Sequence, residues 1–495
     1  MKVLFFYVDN NVSSGYSTGL GLASISGYLK IHGIKTELVY YRTNYDLKYA
    51  IDKIGATSPD IIGFNSPSVN WRTVDMLSCV IKKRFPHIFQ IYGGIHATLT
   101  PETLSTIESL DAVCVGYGEV PMLELAKRIV DKKITNIPGL WIKEKKNGKE
   151  SIIKNTPYFQ ELNQDNFINF DHGIFLKELS RFNDFDIDSY SLDIIFNRGC
   201  PFSCAFCCNK RLNEIHRNRV FTPSPSASIE ALKKSIMNTG LKFVNIHDDI
   251  LTLNKKWFKE FIGKYAEEVH LPFSCSLRAG CFDDNDAILL KKAGIQSAWI
   301  GVESGNDYIR NKVMKKGLSR KQIIDSISLL HRHKIALKTQ NIIGAPNETA
   351  ERFIDTVKIN AECWPAQDYM LSIFYPYPTT DLFDICGYEN LFSNRNEPIT
   401  ERVSTALELP YFSSKKILFY FRNFKNLIAY QHLRIKYPVI FFLELTDKTS
   451  LVLSILVKCL GMPKAFCKML FLMLPFRVRR WVTGLRHRFY FLCKD

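Results

Sequence analysis

The sequence predicts an α/β protein with a doubly wound parallel sheet first, a partial barrel of six βα units second, and a mostly helical C-terminal region. Strand and helix patterns alternate in two separate stretches, and the strands are continuous apolar runs, as in parallel sheets covered on both faces. A chain of 495 residues, 46% of them hydrophobic and 23% charged, is long enough to bury such cores. These patterns divide the chain into four segments: 1–140, 141–190, 191–385 and 386–495.

The first segment contains five strand patterns with helical patterns between them. The strands are KVLFFYV, KTELVYY, PDIIGFNS, FQIYGG and LDAVCVGYGE, and the helical patterns are GLGLASISGYLKIHG, WRTVDMLSCVIKKRF and VPMLELAKRIV. In a doubly wound sheet the ligand lies beyond the carboxyl ends of the strands. Those ends fall here at Ser66, Gly93–Gly94 and Gly116–Glu119.

The second segment combines a hairpin with a linker. Residues 139–155 switch to a period of two around Asn147–Gly148, a dipeptide typical of two-residue hairpin turns. The stretch from Thr156 to Tyr190 is polar, and we expect it to be a linker.

The third segment carries six strand patterns separated by helix-compatible stretches: DIIFNRG, KFVNIHD, FSCSLR, SAWIGVE, ALKTQNIIG and YMLSIF. Six units are fewer than the eight of a closed barrel, but a partial barrel keeps its active site at the C-terminal ends of the strands. Five of those ends carry thiol, charged or glycine residues: Cys200, His247–Asp249, Arg278, Glu303 and Gly344–Glu348.

Four cysteines lie close together in NRGCPFSCAFCCN, residues 197–209. Cys200, Cys204 and Cys207 have the spacing C-x3-C-x2-C, and Cys208 follows directly. Neighbouring cysteines in so short a loop cannot all reach disulfide partners with good geometry, and no second ligand pair for structural zinc follows. Three thiolates in one loop suit an iron–sulfur cluster that leaves one iron free for a non-protein ligand.

This cysteine loop, placed after the first barrel strand, resembles that of the radical S-adenosylmethionine (SAM) enzymes. VNIHDDIL, CSLRAG, GVESGND and NIIGAPNET resemble the second- to fifth-strand segments of the same enzymes. The resemblance implies a [4Fe-4S] cluster on Cys200, Cys204 and Cys207, with Cys208 unligated. In that family the open iron binds SAM, which is cleaved to a 5′-deoxyadenosyl radical. The SAM contacts implied here are at Asp248, Asp249, Arg278, Glu303 and Gly344.

Two points in this resemblance leave alternatives open. Glu303 and Arg278 could instead form a structural ion pair across the barrel mouth. The sequence also has Asn347 and Thr379 where the family pattern has glycine, which puts the local turn geometry in question.

The segments YGGIHATLTPE and VGYGEVPMLELA resemble the Rossmann-like cobalamin-binding domain that is fused to many radical SAM enzymes. Carried over position by position, the residues lining the pocket for the nucleotide tail of cobalamin are Ser66, Gly93, Gly94, His96, Gly116, Gly118 and Glu119. A bulky side chain at Gly93 or Gly94 would occupy the volume of the cofactor. The Asp-x-His-x-x-Gly motif is absent, so we expect no protein histidine on cobalt.

The net charge of +16 is concentrated at one end of the chain. Residues 449–495 contain nine Lys and Arg and one acidic residue, which accounts for half of the net charge and argues against nucleic-acid binding. This stretch is also apolar, but Lys458, Lys464 and Lys468 interrupt it before it reaches the ~20 residues that a membrane span needs. It is predicted to form helices that either pack on the barrel or lie on an anionic membrane surface.

Together the patterns predict a cobalamin-dependent radical SAM enzyme, a methyltransferase acting at an unactivated carbon of a small-molecule substrate. The alternatives are an oxidative cyclase or ring-forming enzyme with the same cofactors, and a non-enzymatic cobalamin- or redox-responsive protein. An electron donor such as flavodoxin or ferredoxin is implied. The 13 cysteines and the lack of a signal-peptide pattern predict a cytoplasmic protein. The basic tail adds peripheral contact with the inner membrane face, and with it a lipid or other hydrophobic substrate.

Overall fold

A computed structural model describes residues 1–9, 16–42, 46–131, 133–146, 149–158, 164–217, 220–393 and 402–436. Its described part contains two sheets, one of seven strands in the order β2-β1-β3-β4-β5-β6-β7 and one of six in the order β13-β12-β11-β10-β9-β8. The α/β class and the order of a doubly wound domain before a partial barrel are therefore confirmed.

The first sheet begins with five parallel strands. Their side chains pack alternately into two separate apolar cores, one on each face of the sheet. The strands are β1 (Lys2–Val8), β2 (Lys35–Tyr41), β3 (Ile61–Asn65), β4 (Phe89–Gly93) and β5 (Ala112–Cys114). The helices of this domain are α1 (Leu20–Ile31), α2 (Asp46–Thr57), α3 (Trp71–Arg84), α4 (Gly94–Leu99), α5 (Thr103–Thr106) and α6 (Glu119–Arg128). The sequence patterns did not predict α2, which buries only Asp46, Ala50 and Ile54 and so has a weak apolar face.

The predicted hairpin forms, and it extends the first sheet. Its strands are β6 (Leu140–Lys146) and β7 (Lys149–Lys154), and β6 pairs antiparallel with β5 through Val113 and Trp141. This edge turns a parallel sheet of five strands into a mixed sheet of seven.

The expectation of a linker between the hairpin and the barrel is wrong for residues 164–190. They contain a buried helix, α7 (His172–Leu179), with Phe175 and Leu179 inaccessible to solvent. Some polar side chains of this stretch are hydrogen-bonded inside the protein, although those near its C-terminal end are exposed. Glu178 is 2% exposed and lies 2.7 Å from the Tyr49 hydroxyl, which donates a hydrogen bond to it.

The six-stranded sheet is parallel throughout and follows chain order, as predicted for a partial barrel. Its strands are β8 (Leu192–Ile194), β9 (Val244–Ile246), β10 (Phe273–Leu277), β11 (Ile295–Glu303), β12 (Ala336–Ile343) and β13 (Asp368–Ile373). The helices around it are α8 (Asn209–Ile215), α9 (Pro225–Thr239), α10 (Lys255–Glu268), α11 (Asp284–Lys292), α12 (Arg320–Arg332), α13 (Ala350–Glu362) and α14 (Asp381–Tyr388). The carboxyl ends of all six strands form one rim of the barrel. The residues predicted to bind the cluster and SAM lie at this rim.

The C-terminal region begins with a long helix, α15 (Ser414–Lys436), which packs on α13 and β13. Within the described ranges, no helix is both long and apolar enough to cross a membrane. The prediction of a basic amphipathic tail falls on residues 449–495, which lie outside the described residues.

Candidate active site and cofactor cavity

The cysteine loop lies at the C-terminal end of β8 and is held by backbone hydrogen bonds. Cys204 is buried, while Cys200 and Cys207 are half-buried. The Cys207 N–H donates to the Cys204 carbonyl at 3.0 Å, and the amide of Asn213 on α8 donates to the Cys200 carbonyl at 2.7 Å. Burial, together with the charges of Asp249, Cys207 and Cys204, raises the pKa of Cys200 to about 11. The three thiols thus share one electrostatic environment.

This donor set fits an iron–sulfur cluster better than a single ion. In the part of the chain that the structure describes, no three His, Cys, Asp or Glu side chains converge on one metal position. Cluster thiolates bind separate irons and so need not converge. Cys208 precedes α8 and its thiol hydrogen-bonds to that of Cys207. The assignment of Cys200, Cys204 and Cys207 as ligands remains a prediction.

The two aspartates at the end of β9 accept hydrogen bonds from residues in and next to the cysteine loop. Asp248 is 1% exposed and accepts hydrogen bonds from the Phe196 N–H at 2.7 Å and the Asn197 amide at 2.7 Å. Burial raises the pKa of Asp248 to about 6. Asp249 accepts from the Asn209 amide at 3.0 Å and from the Gly199 backbone, and its side chain reaches solvent. Asp249 is therefore the better placed of the two to contact a ligand at the rim.

Glu303 forms a buried ion pair that sequence patterns missed. Its Oε1 lies 2.6 Å from the Nζ of Lys316, and both side chains are about nine-tenths buried. Arg278 instead donates to the carbonyl of Lys316 and stacks on Phe202 of the cysteine loop, with its guanidinium 3.7 Å from the ring centre. The alternative of a Glu303–Arg278 ion pair is therefore wrong. Lys316 lies 13 residues after Glu303, a separation that matches no local period, so no sequence signal marks it.

Gly344 at the end of β12 is fixed by a buried carboxyl group. Its N–H donates to Glu348 Oε2 at 2.6 Å, and its φ of +83° is in the left-handed region that favours glycine. Burial raises the pKa of Glu348 to about 8. The other oxygen, Oε1, is buried and has no hydrogen-bond partner among the described residues. A carboxyl group with this environment is protonated at neutral pH.

A separate cavity, open to solvent, lies at the carboxyl ends of β3, β4 and β5 in the first domain, beside Phe5 of β1. Helices α1 and α6 cover its side, through Gly21, Ile25 and Met122. Most of the predicted cobalamin residues line it, namely Gly93, Gly94, Gly116, Gly118 and Glu119.

Ser66 and His96, which were also predicted to line this cavity, lie outside its wall. The Ser66 hydroxyl hydrogen-bonds to the Tyr92 hydroxyl at 2.6 Å in the core on the opposite face of the sheet. The His96 ring stacks on Trp71, with 6.1 Å between ring centres, and burial lowers the pKa of His96 to about 4. Ser66 directly follows Asn65, which lines the cavity, and neighbouring residues at a strand end point to opposite faces. His96 lies on α4 beyond the end of β4.

The glycines of the cavity allow a bulky ligand to approach the backbone. A Cβ at Gly93 would meet only Cys114, at 3.6 Å, and a Cβ at Gly21 would meet nothing within 4 Å. A Cβ at Gly94 would strike the Asn65 side chain, and φ at Gly94 is +85°. Substitution at Gly94 would thus distort the protein itself, whereas Gly21 and Gly93 border free space.

One wall of the cavity comes from the second domain. Arg198, two residues before Cys200, lines the cavity and lies 2.7 Å from the buried Glu119 carboxylate. Its guanidinium also donates to the Ser24 hydroxyl at 2.8 Å. Its place in the NRGC segment, two residues before the first cysteine, is the sequence signal for Arg198. The cavity and the cysteine loop therefore meet at this arginine.

Two family models match this chain: the B12 binding domain over residues 8–126 and the Radical SAM superfamily over residues 194–359. The first match contains the cavity, and the second contains the cysteine loop and the rim from β8 to β12.

Curated relatives match most of the chain at modest identity. An uncharacterised methyltransferase of Pyrococcus horikoshii is 26% identical over 410 residues, 80% of this chain and 84% of the relative. The anaerobic magnesium-protoporphyrin IX monomethyl ester cyclase of Rubrivivax gelatinosus is 25% identical over 405 residues, 78% of this chain and 70% of the relative.

Solved structures share the fold. The cobalamin-dependent SAM radical enzyme OxsB, with aqua-cobalamin and SAM bound, superposes with a TM-score of 0.68 at 16% identity, covering 93% of this chain and 75% of that one. The radical SAM methyltransferase TsrM from Kitasatospora setae gives a TM-score of 0.61 at 17% identity, covering 79% and 75%. The chain therefore combines a B12-binding domain with a radical SAM domain, and its cofactors are a [4Fe-4S] cluster, SAM and cobalamin.

Proposed function

We propose that this enzyme transfers a methyl group to an unactivated carbon of a small molecule. The observation that carries the proposal is the meeting of the cobalamin cavity and the cysteine loop at Arg198. When bound, the cluster supplies the electron that cleaves SAM, and cobalamin supplies a transferable methyl group. The named methyltransferases among the relatives support this reading over other reactions.

Residues of both domains divide this work between them. Cys200, Cys204 and Cys207 would hold the cluster, and Asp248 fixes the backbone just before them. The exposed carboxylate of Asp249 and the backbone at Gly344 would hold SAM at the rim. The glycine-lined cavity would hold the nucleotide tail of cobalamin, which keeps the cofactor at the domain boundary.

Product analysis separates methyl transfer from its alternatives. Anaerobically reconstituted protein, given SAM, cobalamin and a reductant such as reduced flavodoxin or ferredoxin, should yield 5′-deoxyadenosine and S-adenosylhomocysteine together when substrate is present. S-adenosylhomocysteine reports the methyl group lost from one SAM, and deoxyadenosine reports the radical made from another. No SAM cleavage at all would contradict both enzymatic readings and favour a cobalamin-responsive binding protein.

The second candidate is an oxidative cyclase with the same cofactors. Two relatives named as anaerobic magnesium-protoporphyrin IX monomethyl ester cyclases, at 25% and 24% identity, support it. This candidate predicts deoxyadenosine without S-adenosylhomocysteine.

The cluster ligands are tested by single substitutions. Cys200→Ala, Cys204→Ala and Cys207→Ala should each abolish the cluster absorbance, while the adjacent Cys208→Ala retains it. Cys208 is the matched control because it lies in the same loop and is half-buried, as Cys200 and Cys207 are. Loss of the cluster only in the Cys208 variant would contradict the assignment.

We also propose that the substrate is hydrophobic and that the enzyme binds it at a membrane surface. The support is the cationic and apolar composition of residues 449–495, since each Lys or Arg near anionic lipid contributes about 1 kcal/mol. The full chain should pellet with anionic vesicles at low salt, and a chain ending at Lys448 should not. Equal pelleting of both chains, or binding that is insensitive to salt, would contradict the proposal.

A further inference from the structure

Two contacts join the radical SAM domain to a single turn of the B12-binding domain, the turn Gly116–Glu119 between β5 and α6. Arg198 Nη1 lies 2.7 Å from Glu119 Oε1. The His216 ring stacks on the Tyr117 ring, with 4.1 Å between ring centres and 14° between planes. Arg198 precedes the cysteine loop and His216 follows α8, so both ends of this segment rest on the same turn.

The segment between the two contacts is tied together internally. Asn213 on α8 holds the Cys200 carbonyl at 2.7 Å, and the Leu212 N–H donates to the Cys208 carbonyl at 3.0 Å. At the C-terminal end of α8, the His216 N–H donates a hydrogen bond to the Leu212 carbonyl at 2.8 Å. A displacement at the turn therefore reaches the cysteines through continuous hydrogen bonds and packed side chains.

The same turn belongs to the cavity wall. Gly116, Tyr117, Gly118 and Glu119 all line the cavity, as does Arg198. The packing behind the turn is tight, because a Cβ at Gly116 would come within 3.1 Å of the His216 ring. A ligand in the cavity thus touches groups that also fix the position of the cysteine loop.

The Arg198–Glu119 pair is well shielded from water. The Glu119 side chain is 3% exposed and that of Arg198 is 13% exposed, and the carboxylate also accepts from the Ser24 hydroxyl at 2.6 Å. The guanidinium lies 5.1 Å from the ring centre of Phe221. Removing the arginine leaves a buried carboxylate without its counter-charge, which is strongly unfavourable. The pair therefore holds the domains in one relative position.

We propose that Arg198 and His216 are positioning residues that couple cobalamin binding in the cavity to the cluster held by the cysteine loop. The inference rests on the cofactor sites of the proposed function. Coupling between two binding sites is reciprocal, so a cluster that favours cobalamin binding is itself held more tightly when cobalamin is bound. Both directions can be measured without turnover.

The experiment titrates hydroxocobalamin into the full-length chain under anaerobic conditions, with and without the reconstituted cluster. The wild-type protein should bind cobalamin more tightly with the cluster present, by about fivefold or more. In Arg198→Met the ratio of the two Kd values should fall towards one, and Arg198→Lys, which keeps the charge, should recover part of it. The electron paramagnetic resonance spectrum of the reduced cluster should change on adding cobalamin to the wild type but not to Arg198→Met.

His216 offers a second, independent variant. His216→Phe keeps a ring on Tyr117 and should keep the ratio of Kd values, whereas His216→Ala should reduce it. Arg181→Met is the matched control, because Arg181 also pairs with a carboxylate, that of Asp46 at 2.8 Å, and stacks on Tyr49, away from the cavity. This control should keep the wild-type ratio.

Two results would overturn the coupling: a wild-type ratio of one, or folded Arg198→Met and His216→Ala proteins that keep the wild-type ratio. Wild-type protein that binds no cobalamin in either state would instead contradict the proposed function, and the coupling with it. The two failures are therefore distinguishable in the same titration.

Discussion

At the residue scale, three non-glycine residues near the barrel rim have left-handed backbone conformations. Asn347, Thr379 and Glu303 have φ values of 62°, 65° and 60°. Asn347 and Thr379 are the two positions where the sequence departs from glycine in the family pattern, so the left-handed turns persist without it. Asparagine tolerates this conformation, but a β-branched threonine does not. Thr379 also has a buried hydroxyl without a hydrogen-bond partner among the described residues.

We predict that Thr379→Gly raises the free energy of unfolding by about 1 kcal/mol. A strained left-handed residue costs on the order of 1–3 kcal/mol, and part of this gain is offset because glycine loses more conformational entropy on folding. Asn347→Gly should change it little. The neighbouring Thr380 is the control: its Oγ1 caps α14 by accepting from the Phe383 N–H at 3.2 Å. Thr380→Ala should lower the stability by about 1 kcal/mol. Melting temperatures of the four proteins test the opposite signs.

Glu348 predicts a pH dependence of stability. Its pKa is raised by burial from 4.5 to about 8, so the folded chain keeps a proton that the unfolded chain has lost between these values. Stability from this group is therefore present below pH 4.5 and is lost as the pH rises towards 8. Glu348→Gln should flatten the decline and be the more stable protein at pH 8. Melting temperatures between pH 5 and 8 that run parallel for both proteins would contradict this.

At the element scale, α1 and α6 cover the cavity and glycine keeps it open. Gly21 is exposed on the first turn of α1, borders the cavity and has free space around its Cβ position. Parallel strands bring their carboxyl ends together at the edge that these two helices overhang, and this creates the space.

Gly21→Phe should therefore weaken cobalamin binding about tenfold or more, because placing a ring in occupied volume costs on the order of 1–3 kcal/mol. Gly55→Phe on α2 is the control, since a Cβ there also meets nothing within 4 Å and Gly55 lies away from the cavity. Equilibrium binding of hydroxocobalamin measures both. Equal affinities in the two variants would place the cofactor elsewhere.

At the scale of the whole molecule, residues 164–190 contact both domains, since α7 packs on β2 of the first domain and on α9 of the second. The Asp171 N–H donates to the Ala23 carbonyl at 2.9 Å, and the Ser26 hydroxyl donates to the Asp171 carboxylate at 2.6 Å. The Asn169 carbonyl lies so close to Gly27 of α1 that a Cβ would overlap it. The contact fixes the path of this segment over α1.

Gly27→Ala should therefore release this segment and expose it to protease. Limited proteolysis should cut the variant within residues 164–190 and leave the wild type intact there, with a loss of stability of about 1–3 kcal/mol from the forced overlap. Gly55→Ala is the control, because Gly55 is also in a helix but a Cβ there would meet nothing within 4 Å. This variant should leave the digestion pattern unchanged. Equal cleavage of the wild type and Gly27→Ala would restore the linker interpretation.

The sequence by itself determined the order of the parts. Continuous apolar runs identified all eleven parallel strands of the two sheets in the correct chain order, because strands buried on both faces are apolar along their length. Cysteine spacing is also local, so the C-x3-C-x2-C loop and its place after the first barrel strand could be read directly. The hairpin followed from its turn dipeptide.

Only the tertiary structure decided which distant residues meet. Lys316 as the partner of Glu303, and Arg198 as the partner of Glu119, are pairings between different elements that no period in the sequence encodes. The side of the sheet on which Ser66 lies depends on how β3 ends, and that of His96 depends on how α4 packs on Trp71 and Tyr92. The buried polar segment around Glu178 looked like a linker because composition cannot tell a side chain that is hydrogen-bonded inside a protein from one that faces water.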